Sequence, residues 1–176
     1  MSLIIKYSIS EKDLFFLSEI ETLKSKEGII SMKKEKLNKY DKAYLRIASE
    51  WSKLSYCHRK QVGAIIVRDR MIISDGYNGT PSGFENNCED EEGLTKWYVL
   101  HAEANAILKV AKSTNNCKDA TLYLTHSPCK DCSKLVLQAG INRVVYMHDY
   151  KDTTGIDFLR SAGVEIVKIE DPFNHE

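Results

Sequence analysis

The sequence predicts an α/β fold: a largely parallel sheet covered by helices on both faces. Three observations carry that expectation. From residue 101 onward, helical and β-rich runs alternate in regular order, as βαβ units do. Just upstream, two β-rich runs meet at a polar pair and read as a hairpin. Before them, a charged helix carries one apolar stripe, as a helix lying flat on a sheet does.

Taken in order, residues 10–23 read as a helix. Ser10 is a capping residue, and Leu14, Leu17, Ile20 and Leu23 recur at helical spacing. Residues 24–36, KSKEGIISMKKEK, are charged, contain Gly28 and lack a long periodic face, so a linker or exposed turn is expected there. A second helix follows, its stripe made of Leu37, Tyr40, Tyr44, Ile47, Ala48, Trp51 and Leu54. VGAIIVRD (62–69) and RMIISDGYN (70–78) form the hairpin, turning at Asp69–Arg70. Residues 79–98 are rich in turn formers and acids and read as one long loop, a length that usually signals function or disorder. A helix over 101–112 precedes a strand at 120–126, a helix at about 129–139 and a strand at 143–148. A shorter helix at about 155–162 and a strand at 164–169 close the pattern. Gly140 and Gly163 stand just past helices, where a left-handed cap is wanted.

The 176 residues suffice for one domain with a real core. With 25 basic and 25 acidic side chains there is no field to attract a polynucleotide, so a nucleic-acid partner is not expected. No apolar run approaches the roughly 20 residues of a membrane span, and the N-terminus lacks a secretory pattern. A cytoplasmic setting is therefore expected. Five cysteines, an odd number, argue there against a disulfide framework. Cys57, Cys88 and Cys117 are expected as free thiols.

Chemistry concentrates in two short stretches, HAEANAIL (101–108) and SPCKDC (127–132). Cys129 and Cys132 follow Pro128, a residue favoured at helix starts. Thiols in a first helical turn ionise readily, and thiolates bind zinc. His101 opens the preceding helix, which in this topology begins at the same edge of the sheet. Two cysteines and one histidine without a fourth protein ligand describe a catalytic zinc that leaves a position for water. Glu103 is then placed as the proton shuttle. A lone histidine at a helix start is ordinarily structural, and a lone Cys-x-x-Cys has several uses. Their joint occurrence with Pro128 and Glu103 matches the H-x-E…P-C-x-x-C signature of zinc-dependent nucleobase deaminases.

These residues resemble the cytidine and deoxycytidylate deaminase superfamily over about residues 37–169. LQAGINRVVY, VGAIIV and GYNGTPSG are similar to the deoxycytidylate branch found in bacteria and phages. Residues 1–36 have no counterpart in that pattern and are read as an N-terminal extension to a deaminase domain at 37–176. The resemblance implies a three-layer α/β/α sandwich around a mixed five-stranded sheet, usually assembled as a homohexamer. It implies hydrolysis of dCMP to dUMP and ammonia, supplying dUMP for thymidylate synthesis. It also implies activation by dCTP, with Mg2+ accompanying that nucleotide, and inhibition by dTTP.

Substrate contacts follow partly from position, as for Ala102 at a helix start, Ser127 and Lys151, and partly from the same resemblance, as for Asn78, Tyr150 and Arg59. The backbone amide of Ala102 is a donor to the base carbonyl, and the backbone around Ser127 an acceptor for the amine. Asn78 is expected at the deoxyribose and Tyr150 near the base or sugar. Arg59 is the first choice for the phosphate, since a guanidinium grips it bidentately, and Lys151 the second. Gly76, Tyr77 and Gly79 fall where the family places its regulatory nucleotide. Alternatives are a cytidine or deoxycytidine deaminase, a tRNA adenosine deaminase, and a structural-zinc module without catalysis. The balanced charge opposes the second, and Glu103 has no use in the third.

Overall fold

The computed structural model describes residues 11–170, 172 and 173, with side chains in the first part of the leading helix described only at positions 29, 31 and 32, then from 35 onward. Among the described residues nine elements run in the order α1 (Glu11–Ser52), β1 (Gly63–Arg68), β2 (Met71–Tyr77), α2 (Ala102–Ala111), β3 (Thr121–His126), α3 (Lys130–Gln138), β4 (Arg143–His148), α4 (Thr154–Ser161) and β5 (Glu165–Lys168). The chain divides into two compact units, Met1–Lys39 and Tyr40–Glu176.

The expected break at residues 24–36 is absent: α1 runs unbroken through Gly28. One glycine costs a helix only about 1 kcal/mol against alanine, which the strong helix formers on either side of it offset. The Ser10 cap lies outside the described residues, as do the side chains of the stripe from Leu14 to Leu23.

The five strands form one mixed sheet in the order β2-β1-β3-β4-β5. β1 is antiparallel to both β2 and β3, whereas β3, β4 and β5 are parallel. The hairpin turns where expected, with Asp69 and Arg70 both at positive φ (51° and 64°), as a two-residue turn between twisted strands requires. Gly140 and Gly163 adopt the left-handed caps expected of them (φ 81° and 82°).

Strand alternation divides the core in two. Ala64, Ile66, Leu122, Leu124, Val144 and Tyr146 pack with Ala102, Ala106 and Val110 of α2, Val136 of α3, and Ile156 and Leu159 of α4. Ile65, Val67, Tyr123, Val145 and Met147 pack with Leu45 and Ala48, and partly with Tyr44, Ile47 and Trp51, on the opposite face. The result is the three-layer α/β/α sandwich. Leu37 and Leu54, the outermost members of the predicted stripe, are instead exposed.

One ionic contact pins α1 to the sheet. Arg143 at the start of β4 donates from Nη1 and Nη2 to the two carboxylate oxygens of Asp41, at 2.8 Å each, and the Tyr123 hydroxyl donates to the same carboxylate at 2.8 Å. Both Asp41 and Arg143 are buried. Removing one member of a buried pair leaves the other charge uncompensated, at about 3–5 kcal/mol. Asp41→Ala is accordingly expected to lower the thermal midpoint by about 10 °C, and urea unfolding gives the matching free-energy loss. A loss below about 1 kcal/mol would mean that Glu165, on the rim of the same arginine, suffices as its partner.

Two glycines set the position of the site helices. A Cβ on Gly76 of β2 would lie 2.3 Å from the Ala102 carbonyl oxygen, so α2 seats its first turn directly on the strand. A Cβ on Gly155 would lie 2.5 Å from the Pro128 carbonyl oxygen and 2.6 Å from Ser133 Oγ, so α4 abuts the turn that opens α3.

Candidate active site

β2 and β3 point the same way, because each is antiparallel to β1. α2 and α3 therefore both start at the carboxyl edge of the sheet, and their N-termini meet. His101 caps α2 with extended backbone (φ −74°, ψ 158°), and Cys129 caps α3 in nearly the same conformation (φ −71°, ψ 168°). Both side chains thus leave from just before the first turn, and only Cys132 lies within it. Cys129 Sγ also accepts from the Cys132 backbone N–H at 3.5 Å, capping α3.

The three side chains converge. His101 Nδ1 lies 3.5 Å from Cys129 Sγ and 3.4 Å from Cys132 Sγ, and one ligand atom from each residue falls within 4.8 Å of the others. Tetrahedral zinc with ordinary Zn–S and Zn–N bonds spaces its ligands by roughly 3.6 Å. The donor set and spacing therefore fit zinc, and among the described residues no other His/Cys/Asp/Glu group has such an arrangement.

Glu103 sits in the first turn of α2, buried, beside this cluster. Burial pushes its carboxyl up to about 7, against the pull of its own backbone amide and of His101. The Cys129 thiol is pulled down to about 4, first by the hydrogen bond with Cys132, whose own thiol is raised by the same bond. His101 is raised by its bond to Cys129, with burial opposing. Zinc would be held by thiolates and a neutral imidazole, so its binding here would release protons.

His101, Ala102, Glu103 and Cys129 open onto a cavity of about 370 Å³, and Arg59, Asn78, Ser127, Tyr150 and Lys151 line it too. Cys132 is buried behind this wall. Asn78 accepts from the Val62 amide (2.8 Å) and donates to the Lys60 carbonyl (2.8 Å), so its amide braces the entry to β1. Ser127 Oγ accepts from the Tyr150 amide at 2.7 Å, holding that residue to the end of β3. Gly76, Tyr77 and Gly79 line a separate cavity of about 730 Å³.

The expectation of free thiols at Cys57 and Cys88 is overturned: the two form a disulfide, with Cys117 free. The odd count was misleading because three of the five thiols are free for other reasons. The loop over 79–98 folds back onto the segment before β1. Its Glu89 accepts from the His58 and Arg59 amides at 3.3 and 3.2 Å, next to the disulfide. Lys60, Glu89, Thr95 and His126 also line the cavity. The sequence offers only weak signals for them: Lys60 adjoins Arg59, and His126 precedes SPC.

The sequence model of the cytidine and deoxycytidylate deaminase zinc-binding region matches residues 38–148. The chain belongs to that family. Deoxycytidylate deaminase of enterobacteria phage T2 is 32% identical over 169 residues, covering 71% of this chain and 89% of the relative. The enzyme of that name from Saccharomyces cerevisiae is 34% identical over 137 residues and covers 72% of this chain, which spans only 44% of the yeast protein. Among solved structures of family members, the dCMP deaminase of cyanophage S-TIM5 in complex with dCMP and dUMP superposes with a TM-score of 0.71. It is 49% identical, with coverage of 72% of this chain and 94% of that one. Among the described residues no helix is long and apolar enough to cross a membrane.

Proposed function

We propose that the chain is a zinc-dependent deaminase that hydrolyses dCMP to dUMP and ammonia. The observation that carries the reading is Glu103: a buried carboxyl beside a His–Cys–Cys cluster, opening onto a small cavity whose wall also carries Arg59, Lys60 and Lys151. The naming of phage and yeast relatives as deoxycytidylate deaminases supports dCMP as the substrate.

His101, Cys129 and Cys132 would hold the zinc, which when bound supplies an acidified water as nucleophile. Glu103 takes one proton from the attacking water and delivers it to ring nitrogen 3 of the cytosine. It then takes the second from the hydroxyl now on carbon 4 and gives it to the departing amine, so that the carbonyl forms as ammonia leaves. A group that accepts and donates in one cycle works best with a pKa near the operating pH, and burial places Glu103 there. The Ala102 amide, at a helix start with no partner inside the helix, donates to the base carbonyl. Ser127 carries the backbone that receives the amine.

The remaining parts of the proposal are finer. Arg59 or Lys151 meets the phosphate, Asn78 the sugar and Tyr150 the base or sugar. The cavity at Gly76, Tyr77 and Gly79 is the effector site for dCTP with Mg2+ and for dTTP. The assembly is a cytoplasmic homohexamer in which residues 37–176 are the catalytic domain and 1–36 an extension.

The test is a loss-of-absorbance assay with dCMP, deoxycytidine and CMP side by side, each with and without dCTP, dTTP and magnesium. Strong preference for dCMP is expected, with activation by dCTP. Equal turnover of deoxycytidine would overturn the nucleotide as substrate, and activity on none of the three would overturn the reading.

A further inference from the structure

Among the side chains lining the cavity, His126 and Lys60 have no part in the chemistry above. His126 ends β3, directly opposite His148 of β4 in the parallel register, and the two rings lie 5.2 Å apart. Its neighbour Thr125 is buried, and the Thr125 hydroxyl accepts from the Gly63 amide at 3.1 Å. A buried hydroxyl also needs an acceptor for its own proton. Among the described residues the contact that provides one is His126 Nδ1, at 3.2 Å. Nδ1 is then the bare nitrogen, and Nε2 carries the hydrogen. Burial first, then Lys60 and His148, hold the pKa of this ring down to about 4, so it is neutral at ordinary pH.

Around this neutral donor the wall is cationic. The Lys60 and Lys151 ammonium groups lie 5.8 and 5.9 Å from the Tyr150 ring centroid. Neither forms a salt bridge among the described residues. Arg59 by contrast donates to Thr95 Oγ1 at 3.3 Å. The carboxylates on this wall are Glu89, held by backbone amides, and Glu103 of the reaction centre. Two ammonium groups without a salt bridge among the described residues and one fixed N–H donor make a wall suited to an anion.

We propose that His126 is a specificity-determining residue, whose Nε2–H acts with the Lys60 ammonium, alongside the Arg59 or Lys151 contact proposed above, to hold the phosphate of the nucleotide and so separates dCMP from its nucleoside. This rests on the reading of the substrate given above. The lysines supply attraction without direction, since an ammonium is a point charge. The imidazole, fixed by Thr125 and by the ring of His148, supplies direction.

The experiment compares wild type with His126→Phe, His126→Gln and Lys60→Gln. It measures kcat and KM for dCMP and deoxycytidine, and calorimetric binding of dUMP and deoxyuridine. Phenylalanine keeps a ring against His148 without a donor, whereas glutamine keeps an N–H. A hydrogen bond to a charged group is worth about 10- to 100-fold. The expected result is that His126→Phe raises KM for dCMP and weakens dUMP by that factor, leaving both nucleosides and zinc content unchanged. His126→Gln recovers most of the loss, and Lys60→Gln repeats the nucleotide-selective defect. Equal losses on nucleotide and nucleoside, or none on either, would overturn the inference while leaving the dCMP reading intact. A wild type that binds dUMP no better than deoxyuridine would overturn both.

Discussion

Glu103→Gln is expected to lower turnover of dCMP by roughly 10²–10⁴-fold or more, the scale of a lost acid–base group, without changing the zinc content. Glutamine fills the same volume and keeps an oxygen and an N–H, but it can neither accept a proton from water nor deliver one to the base. The measurement is steady-state kcat beside metal analysis on the same sample. Near-normal turnover in a zinc-loaded variant would remove Glu103 from the mechanism. The same substitution has a second, opposite effect. Burial raises the Glu103 carboxyl from 4.5 to about 7, so the folded protein holds this proton more tightly than the unfolded chain does. Its contribution to stability is complete below 4.5 and is lost as pH rises through about 7. The shift corresponds to about 3 kcal/mol. Zinc-free Glu103→Gln has no such loss. It is therefore expected to match wild type near pH 4 and to be the more stable protein at pH 8, as followed by urea unfolding. A buried carboxyl costs stability when ionised, and a cation bound beside it would offset that cost.

The convergence of His101, Cys129 and Cys132 was legible because its parts are local. His101 and Glu103 lie two residues apart, and Cys129 and Cys132 three apart, so each pair is fixed by a single helix start. The hairpin and the parallel half of the sheet were legible for a similar reason, since turn chemistry and periodicity act over short windows. What was not legible depends on long-range closure. Cys57 and Cys88 are 31 residues apart and meet only because the loop at 79–98 folds back, which no pattern within either segment announces. Glu89 reads as one more acid in an acidic loop, yet it grips two amides beside Arg59. Asp41 reads as a surface charge on an amphipathic helix, yet it is buried against Arg143, 102 residues away. Gly28 does not break α1, since a lone glycine costs a helix only about 1 kcal/mol. His126 gave only the weak signal of preceding SPC, since its contact with Thr125, whose hydroxyl is itself engaged by Gly63 across the sheet, is written in no local pattern.

Cys132→Ser is expected to abolish stoichiometric zinc binding and to reduce activity by about 10³-fold or more, the scale of losing a Lewis acid worth several kcal/mol. Serine nearly preserves the shape of this buried side chain, so packing is little disturbed. Its hydroxyl, though, is a poor ligand where a thiolate is wanted. Two ligands would remain, His101 and Cys129, too few to close the tetrahedron. The loss should also appear as stability. Wild type loaded with zinc gains about 2.7 kcal/mol over its metal-free form when free metal is a hundredfold above the dissociation constant, and the variant should gain almost nothing. Chelator-treated wild type and the variant should then melt together, whereas zinc restores only the former. Set beside Glu103→Gln, this separates the two halves of the site. One variant keeps the metal and loses the proton path, and the other keeps the carboxyl and loses the metal. If Cys132→Ser still bound one zinc tightly, a fourth protein ligand would have to exist, and the open coordination position that a hydrolytic site needs would not.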